Sequence, residues 1–219
     1  MTTADPGSDD VLRLVGEVAG RRVLELGLGD GSRATGLATR GATVIGVDVD
    51  PGAVAAASAA ATAAEARIEL HRAADLADLA FLRADSVDLA LSAEGLGGHP
   101  DLARVCRQVH RVLRPGGVFV LALPHPAALC VTQETAGPAT AEGEPALRLR
   151  VTRSYFDATP LPVPGADPAT VARPRTVAEA FGALRTAGFR PDVLVEVPAA
   201  PPASLLPAVM LWRARKEGA

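Results

Sequence analysis

The sequence predicts an α/β protein built on a mostly parallel sheet. Between residues 22 and 123, short apolar runs typical of buried strands alternate with segments of helical pattern. This alternation favours βαβ units with right-handed crossovers. The length of 219 residues and the 48% hydrophobic content suit one sizeable core. We therefore predict a single domain over residues 1–219.

The elements follow in order along the chain. Apolar residues at positions 11, 14, 15 and 18 predict a short leading helix. Helical patterns also cover residues 32–40 and the segment after Asp50-Pro51, where an N-cap residue precedes a first-turn proline. Pro100 opens a further helix, which Arg114-Pro115-Gly116-Gly117 ends. Five strands are predicted between these helices, at residues 22–26, 43–48, 67–71, 87–92 and 118–123.

Residues 126–173 break this rhythm, because they are rich in Pro, Gly, Thr and Ala. A connection of that length predicts a lid or substrate-binding insertion, and residues 147–153 are consistent with one arm of a hairpin. Regular structure resumes at the capping box of Thr176 and Glu179. Two strands follow, at 192–197 and 208–214, and they should pair antiparallel because no crossover helix lies between them.

Composition argues against several classes of function. The net charge of −3 and the single lysine, Lys216, provide no basic surface for nucleic acid. The acidic start does not resemble a signal peptide, and no apolar run approaches the length that spans a bilayer. Cys106 and Cys130 lack neighbouring metal ligands, so we expect two buried thiols and no metal site. We predict a cytoplasmic protein without nucleic-acid or membrane partners.

Three glycines follow the first strand in the stretch VLELGLGDGS, at Gly27, Gly29 and Gly31. Glycine permits tight turns and a close approach of the backbone to a ligand. The dinucleotide fingerprint GxGxxG would need its third glycine at position 32, where Ser32 stands. The observed spacing, ExGxGxG with Glu25, suits an adenosine joined to an amino acid.

Acidic residues follow the next two strands. Asp48 ends the second strand, where a carboxylate can accept hydrogen bonds from both ribose hydroxyls. Asp75 follows the third strand and could accept from an adenine amino group, while the amide of Leu76 donates to the ring. Such a negative rim suits a sulfonium cation better than a pyrophosphate.

This ordered set resembles the class I S-adenosylmethionine-dependent methyltransferases, in their small-molecule, type 11-like branch. VLELGLGDG is similar to the family's first motif, VIGVDVDP to its acidic second-strand motif and RVLRPGGVFVLALPHP to its fifth-strand segment. The resemblance runs from Val23 to Lys216. It implies a Rossmann-like doubly wound, mostly parallel seven-stranded sheet with an antiparallel last strand. It also implies methyl transfer from S-adenosylmethionine to an O, N or C nucleophile of a small-molecule acceptor.

The resemblance further implies a set of cofactor contacts. The glycines would border the methionine part, Glu25 its amino group, Asp48 the ribose and Asp75 the adenine, with Ser92 beside the transferring methyl. The full set is Glu25, Gly27, Gly29, Gly31, Asp48, Val49, Asp75, Leu76 and Ser92.

Two residues are candidates for a general base, should the acceptor need one. His125 lies just past the fifth strand between two prolines, and Glu94 lies just past the fourth. For His125, a role in shaping the turn is the alternative.

Alternatives to this function and a question of assembly stay open. One is a non-catalytic S-adenosylmethionine-binding partner protein, which Pro174 suggests because the subgroup often has histidine there. The other is a nicotinamide-dependent oxidoreductase, which shares the topology and the ribose acid. A homodimer is also left open, because residues 205–212 suit either an interface or the core.

Overall fold

The protein is described by a computed structural model that covers residues 8–93, 95–135, 147–163, 170–198 and 205–218. Its elements are, in chain order, α1 (Ser8–Val15), β1 (Arg22–Leu26), α2 (Ser32–Thr39), β2 (Thr43–Asp48), α3 (Pro51–Ala63), β3 (Ile68–Arg72), β4 (Val87–Ser92), α4 (Leu102–Val112), β5 (Leu113–Pro124), α5 (Pro126–Leu129), β6 (Val131–Thr135), β7 (Leu147–Val151), β8 (Leu161–Pro162), β9 (Val171–Ala172), α6 (Val177–Thr186), β10 (Phe189–Pro198) and β11 (Pro207–Lys216).

Seven strands form one sheet in the order β10-β11-β5-β4-β1-β2-β3. Strands β1 to β5 are mutually parallel, whereas β11 runs antiparallel to both of its neighbours, β5 and β10. Residues 199–206 join β10 to β11 and are too few for a crossover connection, which accounts for the antiparallel pairing. The predicted doubly wound, mostly parallel sheet with an antiparallel last strand is confirmed.

Apolar layers cover both faces of this sheet. Helices α4 and α6 pack on one face, and α1, α2 and α3 pack on the other. The core is mainly aliphatic, with Phe119 and Phe189 as its largest fully buried side chains. Both cysteines are buried, as predicted, and burial raises the pKa of the Cys106 thiol to about 12.

The predicted boundaries around β5 were wrong. The strand begins at Leu113, directly after α4, rather than at residue 118. The Arg114-Pro115-Gly116-Gly117 segment forms an irregularity inside the strand, where the register against β4 shifts and Gly116 adopts a φ of 77°. The residue that caps α4 is Asp101 rather than Pro100, because its carboxylate accepts from the Arg104 amide at 2.8 Å.

Two small hairpins follow the fifth strand. Strands β6 and β7 pair antiparallel, which confirms the predicted hairpin arm, and β8 pairs antiparallel with β9. Two parts of the predicted insertion at 126–173, residues 136–146 and 164–169, lie outside the described residues.

The segment 205–212, proposed as either interface or core, reaches the core with its last three residues. Met210, Leu211 and Trp212 are buried, whereas Leu205 is exposed. Within the described ranges, no helix combines the length and the apolar character needed to cross a membrane.

Candidate functional site

The glycine loop leaves the carboxyl end of β1 in a left-handed conformation. Gly27, Gly29 and Gly31 have φ angles of 80°, 56° and 79°, which disfavour residues with a Cβ. The Gly27 amide donates to the Val47 carbonyl of β2 at 2.9 Å. The loop is therefore shaped by its backbone and held against the end of the neighbouring strand.

Gly31 has a second reason to be glycine. A Cβ at this position would lie 2.2 Å from the Cα of Ala57 in α3. Since the start of α2 approaches α3 this closely, helix packing alone accounts for the third glycine. The resemblance places Gly31 beside the methionine part of the cofactor, and that contact stays a prediction.

Asp48 fastens the glycine loop to β2. Its buried carboxylate accepts hydrogen bonds from the amides of Leu28 at 2.6 Å and Asp50 at 2.9 Å. Val49 follows directly and is 43% exposed, which is high for an apolar residue at a sheet edge. A carboxylate and an exposed apolar side chain thus lie side by side at this edge of the sheet.

Glu25 is fully buried on β1 and forms an ion pair with Arg33 of α2 at 3.2 Å. The two side chains are 0% and 7% exposed, so removing either would leave a charge buried. Arg33 was not predicted as a site residue. Its position on the inner face of α2 follows from the turn that Gly31 makes, which the sequence alone does not reveal.

Asp75 connects the loop after β3 to the loop after β4. Its carboxylate accepts from the Ala77 amide at 2.6 Å and lies 2.9 Å from His99 Nε2 and 3.3 Å from Arg104 Nη1. The Ala77 hydrogen bond and the neighbouring His99 hold the pKa of this carboxyl below its usual value. His99 is buried here as a partner of this carboxylate. Leu76, the other predicted adenine contact, has a buried side chain.

The Asp75 contacts predict a change in acid stability. The folded-state pKa lies below that of the unfolded chain, so the stabilisation is complete above about pH 4 and is lost as the pH falls through the folded value. We expect Asp75→Asn to be less stable than the wild type at neutral pH and the gap to narrow towards about pH 3.

The measurement is the urea unfolding midpoint of both proteins across that range. Asp78→Asn, at an exposed carboxylate in the same loop, is the matched control. A gap between wild type and Asp75→Asn that stayed constant with pH would contradict the assignment.

Both ring nitrogens of His125 have hydrogen-bond partners. Nδ1 accepts from the Ala127 amide at 3.2 Å and so caps α5, and Nε2 lies 2.8 Å from Glu196 Oε1 of β10. The ring is buried. This arrangement favours the turn-shaping alternative over a general base, because a base needs a nitrogen directed at the acceptor.

Glu94 and Ser92 are the other two residues predicted close to the site of methyl transfer. Glu94, the second base candidate, lies outside the described residues. Ser92 ends β4 and is fully buried.

A cavity of 660 Å³ opens at the carboxyl ends of the central strands. One end is lined by Val49, Ala93 and Gly95, next to the glycine loop and Asp48. The other end is lined by the ends of β5 and β11 and by the β8–β9 hairpin. The volume lies within the range of small-molecule sites, and the position is the usual one for ligands of open α/β sheets.

Two arginines that were not predicted as site residues attach the β8–β9 hairpin to the loop after β4. The Arg173 amide donates to the Gly97 carbonyl at 2.9 Å, and its Nε donates to Gly98 O at 3.0 Å. The Arg175 guanidinium donates to the carbonyls of Leu96, Gly97 and His99. We call these two residues the arginine pair. They fix one wall of the cavity through main-chain carbonyls.

Comparison with known proteins places this geometry in context. A family model described as "Methyltransferase domain" matches residues 24–121, which include β2, β3 and β4 and most of β1 and β5. The ubiquinone biosynthesis O-methyltransferase of Pseudomonas syringae pv. tomato is 34% identical over 100 residues, which cover 46% of this chain and 43% of the relative. The enzyme of the same description from Alkalilimnicola ehrlichii is 33% identical over 109 residues, covering 50% and 44%. The chain thus spans less than half the length of these curated relatives.

A solved structure matches along nearly the whole chain. The S-adenosylmethionine-dependent methyltransferase from Mesorhizobium loti superposes with a TM-score of 0.80 at 28% identity. The match covers 97% of this chain and 98% of that one, so it extends beyond the region of the family model to β10 and β11.

Proposed function

We propose that this chain, which is similar to the class I S-adenosylmethionine-dependent methyltransferases, methylates an oxygen, nitrogen or carbon atom of a small organic molecule. The observation that carries the proposal is the position of the 660 Å³ cavity. It begins beside the glycine loop, Asp48 and Val49 and continues across the ends of β4, β5 and β11. Cofactor and acceptor would therefore share one continuous space.

The described residues fit S-adenosylmethionine. Asp48 keeps acceptor capacity for ribose hydroxyls, since each carboxylate oxygen has two lone pairs and accepts one described hydrogen bond. Val49 offers an exposed apolar surface for the adenine ring. The bare backbone of Gly27 and Gly29 leaves room for the methionine part of the cofactor.

The cofactor, when bound, would supply a methyl group on a sulfonium. An acceptor lone pair would form a bond to the methyl carbon while the carbon–sulfur bond breaks, and the electron pair of that bond would stay on the sulfur of S-adenosylhomocysteine. Any proton on the acceptor would pass to solvent. The chain's own task in our proposal is alignment and exclusion of water. Asp48 and the glycine loop would orient the cofactor, and the apolar walls contributed by β5, β11 and the β8–β9 hairpin would align the acceptor. The insertion at 126–173 would cover the acceptor.

The test is titration calorimetry with S-adenosylmethionine, S-adenosylhomocysteine and NADH, followed by an assay for S-adenosylhomocysteine release with a panel of small nucleophiles. We expect micromolar binding of both sulfur compounds, on the order of −8 kcal/mol, and none of NADH. Binding without turnover of any acceptor would favour the non-catalytic partner protein. Binding of NADH in place of the sulfur compounds would favour the oxidoreductase.

A cytoplasmic location and a homodimer stay predictions from the sequence. Strand β10 lies at the edge of the sheet and exposes Leu194. Light scattering of the purified chain measures the oligomeric state directly.

A further inference from the structure

The acceptor half of the cavity has an apolar lining. Its described residues come from β5, β11 and the β8–β9 hairpin, and Leu123, Pro124, Val171, Ala172 and Val209 are typical of them. Thr170 contributes the one hydroxyl group among the described lining side chains, and none of these side chains is charged. We propose that the acceptor is an uncharged molecule with an apolar body, an inference that rests on the proposed function and narrows its substrate class.

Among the described residues, the charged and titratable side chains next to this region have partners of their own. The arginine pair donates to main-chain carbonyls of the loop after β4. His125 and Glu196 contact each other at 2.8 Å. The Tyr155 hydroxyl accepts from the Val177 amide at 3.3 Å. An ionic acceptor would therefore exchange water for apolar walls without gaining a charged partner among the described residues, which is unfavourable.

The two halves of the cavity divide the ligands by strand order. The glycine loop, Asp48 and Asp75 follow β1, β2 and β3, which lie on one side of β4. The apolar half is built by β5 and β11, which lie on the other side. Polar and charged groups thus surround the cofactor side, and the apolar lining is left for the acceptor. Burial of apolar surface is then the main source of acceptor affinity.

The wall formed by the hairpin is in direct contact with the sheet side of the site. A Cβ on Gly98 would lie 2.2 Å from the carbonyl oxygen of Val171, so β9 rests against the main chain at this point. The arginine pair binds the same segment through the carbonyls of Gly97 and Gly98. The apolar face of the hairpin is therefore a fixed part of the lining, and it contributes directly to the choice of acceptor.

The experiment compares three probes that share a naphthalene ring system and one hydroxyl group. They are 2-naphthol, 6-hydroxy-2-naphthoate and 6-aminomethyl-2-naphthol, which are neutral, anionic and cationic at neutral pH. Each is titrated into the wild-type chain saturated with S-adenosylhomocysteine. We expect 2-naphthol to bind at least about tenfold more tightly than either charged probe. Equal or tighter binding of a charged probe, or no binding of 2-naphthol, would overturn the inference.

A pair of variants locates the effect. Thr170→Asp places a carboxylate in the lining, and Ala158→Asp places one at an exposed position of the same insertion, outside this cavity. We expect the first to weaken 2-naphthol binding about tenfold and the second to leave it unchanged, with the affinity for S-adenosylhomocysteine retained in both. Equal effects of the two variants would overturn the assignment of the acceptor half. Failure of the wild type to bind S-adenosylhomocysteine would instead overturn the proposed function, and the inference with it.

Discussion

Gly31→Ala is expected to destabilise the protein by about 3 kcal/mol or more. The substitution forces a left-handed backbone at φ 79° on a residue with a Cβ, and it drives that Cβ to 2.2 Å from the Cα of Ala57. The second contact is with main chain, so rotation of a side chain cannot relieve it. The measurement is the free energy of unfolding in urea, together with the affinity for S-adenosylhomocysteine.

Gly36→Ala is the matched control, because Gly36 lies within α2, the helix that Gly31 precedes as N-cap, with open space around its missing Cβ. There the exchange is expected to stabilise the protein by about 0.5 to 1 kcal/mol, since alanine is the better helix former. Two glycine-to-alanine changes five residues apart should thus shift stability in opposite directions. Similar shifts at both positions would contradict the close packing of α2 against α3.

The second large effect is expected at Asp48. Asp48→Ala removes the proposed ribose acceptor and the carboxylate that holds the Leu28 amide of the glycine loop. Charged hydrogen bonds contribute about 1.5 to 3 kcal/mol each, so we expect the dissociation constant for S-adenosylhomocysteine to rise by about 30-fold or more. Titration calorimetry measures this directly.

Asp50→Ala separates binding from stability. Asp50 lies two residues further on and caps α3 by accepting from the amides of Gly52 and Ala53. Its loss should cost about 1 kcal/mol of stability and leave cofactor affinity nearly unchanged. If the two variants lost affinity equally, the effect would belong to the fold of this edge and the role of Asp48 would have to be withdrawn.

Much of the parallel half of the sheet was predictable because its signals are local. Each of these signals consists of a few neighbouring residues. They are the alternating strand and helix patterns, the glycine spacing after β1 and the acid at the end of β2. The position of these residues at one edge then follows from the geometry of parallel strands, whose carboxyl ends meet there.

The side-chain contacts across the site could not be predicted in this way. His99 reaches Asp75 across 24 positions, and the arginine pair binds carbonyls more than 70 positions away. No periodicity of the chain records such contacts, because they arise only when separate loops meet above the sheet. The early start of β5 was missed for a related reason: a Pro-Gly-Gly segment ends many helices, and only pairing with β4 extends the strand through it.

His125 illustrates how a local pattern leaves two roles open. A histidine between two prolines after a strand suits a base at the ligand edge as well as a cap for a short helix. The contact that separates these roles comes from Glu196, 71 positions along the chain. The approach of β10 to the end of β5 therefore decides the environment of this ring, and nothing near His125 in sequence indicates it.

The attachment of the hairpin bears on how readily this scaffold can change its substrate. The arginine pair binds main-chain oxygens, and a carbonyl is present whatever side chain a residue carries. Residues such as Thr170 and Ala172 can therefore be exchanged during evolution while the anchor that presents them persists. New substrate ranges could arise through substitutions in the cavity lining alone, without a compensating change in the parts that hold the cofactor.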